Sequence, residues 1–261
     1  MIKNTEAFIL SYNAYKTSSV IASFLTNNSI MQAICHKAKN NSKAFGSDLE
    51  SISKLNINIY EKKENQLSIL KESSIIKNYK TLEKSIYSSL AVFYIREVLL
   101  YCAKDFDDRY FILMEKTLDA LESLEENYNN DDKIKKIYIN ILIAAFEMKT
   151  LHIAGISPHL DKCTICENNN NLLYYSILEG GLICQKCRNL IKDSINITEY
   201  DTAFMRIIKH TSLIEIIKNE NLKQIYNNSI DNVKYIMNKS IFNHINRTIK
   251  SQKVLEEILL T

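Results

Sequence analysis

Residues 163–187 read CTICENNNNLLYYSILEGGLICQKC and place four cysteines in the pattern C-x2-C-x17-C-x2-C. Two CxxC pairs at this separation are typical of a zinc site built from two tight turns. The segment is also rich in turn formers. Three of the chain's four glycines and its one proline lie in or beside it, at Gly155, Gly180, Gly181 and Pro158. Together these features predict a small ribbon at about 160–192, inserted between helices.

The four thiols predict one structural Zn²⁺ ion bound by Cys163, Cys166, Cys184 and Cys187. Four thiolates complete a tetrahedral shell and leave no position for water or substrate, as in structural rather than catalytic zinc sites. Disulfides and a redox-active CxxC are the alternatives. The N-terminal residues lack a secretory signal, so we expect a reducing compartment, which disfavours disulfides. Two redox motifs at ribbon spacing would be a coincidence.

Composition limits the class of protein and indicates where anions would bind. The hydrophobic content of 46% is that of a globular chain, and no run approaches the roughly 18 apolar residues of a membrane span. We therefore expect a cytoplasmic, nucleoid-associated protein with no membrane partner. Residues 1–80 carry eleven lysines and six acidic residues, which predicts an anion-binding surface near the N-terminus. Lysine-rich surfaces also occur in proteins that never bind nucleic acid.

The periodicity of apolar residues predicts an α+β multidomain protein. Five short apolar or alternating runs, separated by polar turn clusters, predict a small N-terminal β-barrel over residues 1–78, for which the OB-fold is one candidate. From about residue 75 the period becomes helical, which predicts an α-helical domain over 79–261 that carries the ribbon. Within it we expect helices at 132–153, 199–218, 221–239 and 241–260. The helix at 132–153 is apolar on most faces, as in the centre of a bundle.

This order of parts resembles the bacterial DNA repair protein RecO family. The strongest local match runs through Phe146-Glu147-Met148-Lys149-Thr150-Leu151 and Ala154-Gly155-Ile156-Ser157-Pro158-His159-Leu160 into both CxxC pairs. A second match is His244-Ile245-Asn246-Arg247-Thr248-Ile249-Lys250-Ser251, which is similar to the family's closing helix. Near the start, residues 7–10 (AFIL) and 24–26 (FLT) resemble its first barrel strands. The resemblance therefore spans nearly the whole chain.

Three departures from the family pattern concern glycines. The first β-turn reads Asn27-Asn28-Ser29, and the basic stretch after the third strand reads Cys35-His36-Lys37-Ala38-Lys39, both without the usual glycine. Glu167 follows the first CxxC pair where glycine is usual. The N-terminal domain is thus the more divergent part of the chain.

The resemblance implies a recombination mediator rather than an enzyme. Such proteins bind single- and double-stranded DNA, engage the acidic C-terminal tail of single-stranded DNA-binding protein (SSB), anneal complementary strands and, with RecR, help load RecA. The sequence has no Gly-rich phosphate loop, HExxH motif or nucleophile elbow.

Two other classes of function remain open from the residues alone. One is a zinc-ribbon interaction scaffold without a DNA function. The other is a metal-dependent nuclease that uses acidic clusters, although Asp is also favoured at helix boundaries as a cap. The acidic residues concerned are Asp105, Asp107, Asp108, Asp131 and Asp132.

The DNA contacts implied by the resemblance lie in the basic stretch after the third strand, at Lys37, Lys39 and Lys43, with Lys16 as an addition. Ammonium groups there would neutralise phosphates and give salt-sensitive, sequence-independent binding. Aromatic side chains could add base stacking, and the candidates are Tyr12, Tyr15 and Phe45. The alternative is that these aromatics pack in the barrel and that the lysines form an ordinary solvated surface.

The SSB tail requires an apolar pocket rimmed by cations, and the resemblance places that pocket on the helical domain. Arginine suits it, because a guanidinium can pair with a carboxylate in bidentate fashion. The candidates are Arg96, Arg109, Arg206 and Arg247. Structural pairing of these arginines with helix carboxylates is the alternative.

Overall fold

The computed structural model describes residues 2–38, 47–61, 67–103, 107–128 and 131–260. The chain forms two compact units, one of residues 1–126 with 249–261 and one of residues 127–248. Across the described ranges, no helix is long and apolar enough to cross a membrane.

The first unit begins with a five-stranded β-barrel. Its strands are β1 (Ile2–Tyr15), β2 (Ser19–Thr26), β3 (Ile30–Cys35), β4 (Ser53–Tyr60) and β5 (Ser68–Asn78), with a short helix α1 (Ser47–Glu50) before β4. The closed order is β1-β2-β3-β5-β4, in which β3 pairs with β5 in parallel and the other neighbours are antiparallel. This confirms the predicted small barrel and fits the expected OB-fold.

Alternation along each strand builds the core of the barrel. In β4, Leu55, Ile57 and Ile59 are fully buried, and the residues between them are only partly buried. Because successive side chains of a strand point to opposite faces, one face fills the barrel and the other faces outward. The same pattern in the other strands gives one contiguous apolar interior.

Three helices follow the barrel within the first unit: α2 (Lys80–Lys84), α3 (Ile86–Cys102) and α4 (Arg109–Asn127). Helix α4 is joined to the barrel by apolar contact and by ion pairs. The rings of Phe8 and Phe111 lie 4.9 Å apart, and the Nζ atom of Lys54 lies 2.8 Å from the carboxylate of Glu115. A second lysine, Lys77, bridges to Asp119 at 2.8 Å.

The C-terminal helix α9 (Lys250–Leu260) packs against α3 in the same unit. Glu97 on α3 accepts hydrogen bonds from the backbone N–H groups of Lys250 (2.9 Å) and Ser251 (2.8 Å) and from the Ser251 hydroxyl (2.6 Å). A carboxylate at a helix N-terminus satisfies N–H groups that have no partner within the helix and complements the helix dipole. The closing helix is thus fixed at its first turn.

The second unit is a helical bundle that carries a three-stranded ribbon. Its helices are α5 (Asp132–Ile153), α6 (Glu199–His210), α7 (Leu213–Lys218) and α8 (Asn221–Ile245). The ribbon strands are β6 (Leu172–Ser176), β7 (Gly181–Cys184) and β8 (Ser194–Asn196), in the order β7-β6-β8. Helix α5 has the predicted bounds, is buried along most of its length, and packs against α6, α7 and α8.

The helices after the ribbon differ from the prediction in two places. The expected helix 199–218 is interrupted at Ser212, which forms a capping box with Glu215 and so starts a new helix. The expected break near residue 240 is wrong, since α8 continues to Ile245. It ends at Asn246 in a left-handed conformation, which asparagine tolerates better than most residues.

In the division into two compact units, the barrel is grouped with helices α2, α3, α4 and α9, and the other unit contains α5–α8. The domain boundaries taken from the sequence, 1–78 and 79–261, describe segments of the chain and remain a prediction.

Candidate functional site: a four-cysteine centre and a basic barrel end

The four cysteines of the ribbon converge on one point. The sulfur atoms of Cys163, Cys166, Cys184 and Cys187 all lie within 4.8 Å of one another, and those of Cys166 and Cys184 are 3.6 Å apart. An ion bound tetrahedrally by sulfurs at about 2.3 Å requires the sulfurs to be about 3.8 Å from one another. The donor set therefore fits a single metal ion. In the described part of the chain, no other group of three or more His, Cys, Asp or Glu residues has this geometry.

Backbone hydrogen bonds shape the first CxxC turn. The Glu167 N–H donates to the Cys163 carbonyl at 2.9 Å, and the Cys163 N–H donates to the Asn168 carbonyl at 2.8 Å. The Thr164 N–H donates to the carbonyl of Leu182 on β7 at 2.9 Å, which joins this turn to the strand that leads into the second CxxC pair. Glu167 has a φ of 60°. This left-handed backbone explains why glycine is usual at its position.

The surroundings of the sulfurs shift the pKa values of Cys163 and Cys187 in opposite directions. Burial opposes ionisation of Cys163, but backbone N–H groups of Cys166, Cys184 and Ile165 lower its pKa to about 6. A hydrogen bond from the thiol of Cys187 to Cys166, together with burial, raises the pKa of Cys187 to about 12. Four thiolates at this separation repel one another unless a positive ion lies among them.

The centre is closed. Three of its cysteines are buried, and Cys166 is exposed. Ile183 is buried with them, and Leu172, Tyr174 and Ile191 pack around the cluster. Four protein ligands around a metal ion would leave no open coordination position, which is the arrangement of structural metal sites.

Gly181 allows the two parts of the ribbon to approach each other. A Cβ atom on Gly181 would lie 2.6 Å from the carbonyl oxygen of His159 and 2.7 Å from the Cγ2 atom of Thr164. The same approach permits hydrogen bonds from the His159 N–H to the Gly180 carbonyl (2.9 Å) and from the Leu182 N–H to the His159 carbonyl (3.0 Å). A side chain at position 181 would separate these segments.

Two cations of α6 tie the ribbon to the bundle. Arg206, one of the predicted SSB contacts, donates through Nε to the carbonyl oxygen of Leu160 at 3.0 Å. Lys209 donates to the carbonyl oxygen of Pro158 at 2.8 Å. Arg206 thus holds the chain just before the first CxxC pair.

The other three arginines have separate environments. Arg96 is 5% exposed on α3, where it donates to the Ser51 carbonyl at 2.9 Å. Arg109 begins α4 and forms a bidentate pair with Asp107, in which Nε donates to Oδ1 and Nη2 donates to Oδ2. Arg247 is exposed after α8. Arg96 and Arg109 belong to the first unit, whereas Arg206 and Arg247 belong to the second.

The predicted DNA contacts that the structure describes lie at one end of the barrel. Lys16 is exposed in the β1–β2 turn, with its Nζ atom 5.3 Å from the Tyr15 ring. Lys37 is exposed after β3 and has a left-handed φ of 60°. A contact of 3.5 Å between Ser19 Oγ and His36 Nδ1 brings these two segments together. The remaining candidates, Lys39, Lys43 and Phe45, lie outside the described residues.

Tyr12, another candidate for base stacking, has a different neighbour from Tyr15. Tyr12 is 44% exposed on β1, and it lies near enough to Arg96 to interact with it electrostatically. It therefore lies beside α3 rather than in the β1–β2 turn that holds Lys16.

The acidic residues considered for a nuclease have local roles. Asp131 accepts a hydrogen bond from the Ile134 N–H at 2.9 Å and caps α5. Asp132 pairs with Lys135 at 3.1 Å, and Asp107 pairs with Arg109. Asp108 accepts the Ile112 N–H through its backbone carbonyl at 3.1 Å. Asp105 lies outside the described residues.

An aromatic residue on the barrel was not predicted from the sequence. Tyr60, the last residue of β4, is 42% exposed, and the Nζ atom of Lys71 lies 5.9 Å from the centre of its ring. The sequence signal that could have identified Tyr60 was the alternation of β4, because the Tyr60 side chain points to the opposite face of the strand from the buried Ile59.

Comparison with known proteins agrees with this architecture. A family model described as "Recombination protein O N terminal" matches residues 1–79, and one described as "Recombination protein O C terminal" matches residues 84–253. The chain is 26% identical over 266 residues to the DNA repair protein RecO of Syntrophus aciditrophicus, covering 97% of this chain and 95% of the relative.

Two further relatives carry the same name. The DNA repair protein RecO of Caldanaerobacter subterraneus subsp. tengcongensis is 24% identical over 193 residues, 73% of each chain. That of Oceanobacillus iheyensis is 26% identical over 208 residues, 74% of this chain and 69% of the relative. The family models cover the barrel, the helices and the four-cysteine ribbon, and the chain belongs to the recombination protein O (RecO) family.

Proposed function

We propose that this protein acts in DNA repair as a recombination mediator. It binds single- and double-stranded DNA and SSB, anneals complementary strands, and with RecR helps load RecA on SSB-coated single strands. Membership of the RecO family supports the role in DNA repair. The observation that carries the finer proposal is the barrel end where Lys16 and Lys37 are exposed together. None of these activities requires a catalytic acid, base or nucleophile.

The DNA contact is electrostatic in the first instance. Each lysine that neutralises a phosphate releases a counterion, so affinity falls as salt rises, without dependence on base sequence. Lys37 is the described residue of the basic stretch on which this proposal depends. Its exposed side chain leaves the barrel at a left-handed residue, beyond the end of β3.

The metal of the ribbon is proposed to be one structural Zn²⁺ ion. Zinc prefers tetrahedral thiolate shells, and the four sulfurs are spaced for such a shell. The ion would connect the two CxxC turns, and its binding free energy would contribute to folding of the ribbon. In the proposed function the ion stabilises the ribbon and takes part in no chemical reaction.

A cavity beside Arg96 supports a site for the SSB tail within the first unit. The cavity has a volume of about 290 Å³, and its lining consists of Glu50, Ile52, Glu83, Ser89, Val92, Phe93 and Arg96. Among the described residues, the Nε atom of Arg96 is buried and has no hydrogen-bond partner. Burial lowers the pKa of Arg96 to about 10. A carboxylate of the tail would supply the acceptor that this Nε atom lacks.

The apolar part of the tail would lie against Phe93, which is 53% exposed on α3. Glu83 is already engaged, since its Oε1 atom accepts the Ile52 N–H at 2.7 Å. The test is binding of a fluorescent SSB-tail peptide to Phe93→Ser, with Phe242→Ser as a control at an exposed phenylalanine of α8. Weaker binding by Phe93→Ser alone supports this site, and equal binding by both variants and the wild type excludes it.

The DNA-binding proposal is tested by fluorescence anisotropy with a labelled oligonucleotide over a range of salt concentrations. We expect a linear fall of log affinity with log salt, and a slope reduced by about one unit in Lys37→Gln. Absence of binding even at low salt would contradict the proposal and favour the alternative, a zinc-ribbon interaction scaffold without a DNA function. Cleavage of the oligonucleotide with Mg²⁺ present would indicate a nuclease instead.

A further inference from the structure

The four-cysteine centre is open to solvent on one side. Of the chain's six cysteines, all of which lie in the described ranges, Cys166 is exposed and the other five are buried. Its chain neighbours Ile165 and Glu167 are exposed as well, whereas apolar side chains pack around the buried members of the cluster. A small polar reagent therefore reaches the cluster first at Cys166, at the tip of the first CxxC turn.

A second sulfur lies beside the exposed one. The Sγ atoms of Cys166 and Cys184 are 3.6 Å apart, and Cys184 is only 1% exposed. The two residues belong to different CxxC turns, so a bond between them would cross from one turn to the other. A solvent-accessible cysteine next to a second, resolving cysteine is the arrangement of redox-sensing thiols.

Metal binding keeps the exposed sulfur in its reactive form. The thiolate, rather than the thiol, is both the metal ligand and the nucleophile of cysteine chemistry. A cysteine that serves as a ligand is therefore already ionised, and susceptibility to oxidation follows thiolate character and exposure. Among the four ligands of the centre, Cys166 combines both properties.

We propose that hydrogen peroxide converts the centre into a metal-free form in which a disulfide joins Cys166 to Cys184. This inference rests on the proposed structural Zn²⁺ ion and adds a second, oxidised state to the ribbon. The Cys166 thiolate attacks a peroxide oxygen, the O–O bond breaks, and a sulfenic acid forms as hydroxide leaves. The Cys184 thiolate then attacks that sulfur, the S–O bond breaks, and a second hydroxide leaves. The two sulfurs lose two electrons in total, and the peroxide gains them.

The disulfide would remove two of the four metal ligands. Cys163 and Cys187 remain, which are too few for a tetrahedral thiolate shell, so the centre would release its ion. The ribbon should stay attached to the bundle, because Arg206 binds the carbonyl oxygen of Leu160 and no sulfur. Thiol reductants reverse a disulfide by exchange, so dithiothreitol with added zinc should restore the original state.

The two cysteines outside the ribbon serve as internal controls. Cys35 is fully buried in the barrel, and burial raises its pKa to about 12, so it stays an unreactive thiol. Cys102 is 6% exposed on α3. Both should remain reduced at peroxide doses that empty the centre. Cys102→Ala is therefore a matched control variant, and it should lose zinc as the wild type does.

The test treats the zinc-loaded protein with hydrogen peroxide and follows released zinc with a chromogenic chelator. Remaining free thiols are then alkylated, and the chain is digested with trypsin and Glu-C. Cleavage after lysine and glutamate places Cys166 in peptide 163–167 and Cys184 in peptide 180–186. We expect these two peptides to be linked, with fragmentation assigning the bond to Cys166 rather than Cys163, and one zinc ion lost for each disulfide formed.

Two ligand variants separate exposure from simple loss of a ligand. Cys163→Ser and Cys166→Ser each remove one of the four sulfurs, but only Cys163→Ser keeps the exposed one. Peroxide should still join Cys166 to Cys184 in Cys163→Ser, whereas Cys166→Ser should resist oxidation. The peptide map of the wild type decides the outcome even where these variants retain no metal.

The outcomes separate this inference from the proposed zinc site. If the zinc-loaded protein keeps its ion in peroxide, or loses it only as Cys35 and Cys102 are oxidised, the inference is wrong and the structural ion stands. A disulfide within one CxxC turn, from Cys163 to Cys166, would also overturn it. If the protein binds no zinc at all, the proposed cofactor fails together with the inference.

Discussion

Gly181→Ala tests whether close backbone approach in the ribbon supports the metal centre. The added methyl group would lie 2.6 Å from the backbone carbonyl oxygen of His159 and 2.7 Å from the Cγ2 atom of Thr164. Both are shorter than a van der Waals contact, and the closest atom belongs to the backbone, which cannot rotate away. The segment at His159 must move from β7, and the hydrogen bond from Leu182 to His159 lengthens from 3.0 Å.

The magnitude follows from the cost of inserting a methyl group into a packed site, which is about 1–3 kcal/mol. Because folding of the ribbon and metal binding are coupled, this cost weakens apparent zinc affinity. A loss of about 1.4 kcal/mol corresponds to a tenfold weaker affinity. We therefore expect zinc binding by Gly181→Ala to be weaker by about one order of magnitude, in competition with a chromogenic chelator.

Gly180→Ala is the matched control for this prediction. Gly180 has a φ of 67°, and a Cβ atom there meets no heavy atom within 4 Å. Its substitution should therefore cost only the left-handed backbone penalty, about 1 kcal/mol, which corresponds to about fivefold weaker zinc binding, and the hydrogen bonds between His159 and β7 should remain intact. If Gly181→Ala binds zinc as tightly as the wild type and unfolds at the same temperature, the reasoning about close approach is refuted.

Three further predictions concern single residues. Cys184→Ser should lose the metal and unfold at a lower temperature, and a variant that loses metal yet keeps full stability would contradict a structural role. Burial opposes the charge of Glu97, but hydrogen bonds from the side chain and N–H of Ser251 and from the N–H of Lys250 hold its pKa below 4.5. Its stabilising effect is therefore full above the pKa of the unfolded carboxyl and is lost as pH falls through the lowered value. Glu97→Gln should lose about 1 kcal/mol at neutral pH and show a shallower acid dependence in chemical denaturation, whereas an unchanged acid profile would argue against this linkage. Glu167→Gly should raise the midpoint temperature of thermal unfolding, since it removes a left-handed backbone penalty of about 1 kcal/mol and loses only an exposed ion pair. A lower midpoint would show that the Glu167 side chain contributes more stability than the backbone penalty costs.

The four-cysteine cluster was predictable because its members are encoded locally. Each CxxC pair supplies two sulfurs from one turn, so the spacing alone predicts the site. Helix α5 was equally predictable, since an apolar pattern on most faces has few structural solutions, and Gly155 with Pro158 marks its end. Gly155 has a φ of 79°, and the Ile156 N–H donates to the Leu151 carbonyl at 3.0 Å, as a Schellman cap requires.

Features that depend on strand register were not predictable. Ile69 lies beside Ile34 only because β5 pairs with β3 in parallel, although the two residues are far apart in sequence. Tyr60 and Lys71 belong to different strands, and no local pattern connects them. The extension of α8 past residue 240 was also missed: Ser240 lies inside the helix, where its hydroxyl donates to the Ile236 carbonyl at 2.8 Å.

The roles of the arginines likewise depend on tertiary contacts. The sequence does not indicate whether the guanidinium of an arginine binds a ligand or the chain's own backbone. Arg206 binds the Leu160 carbonyl, and Arg109 pairs with its near neighbour Asp107. Arg96 differs, since burial leaves its Nε atom without a partner among the described residues. Only the fold distinguishes these three cases.

The central claim is that this chain acts as a recombination mediator, and strand annealing tests it most directly. Complementary oligonucleotides are coated with SSB, either intact or without its acidic tail, and duplex formation is followed by fluorescence. We expect faster annealing in the presence of the protein, dependent on the SSB tail and reduced in Lys37→Gln. No acceleration with intact SSB, at any salt concentration, would contradict it.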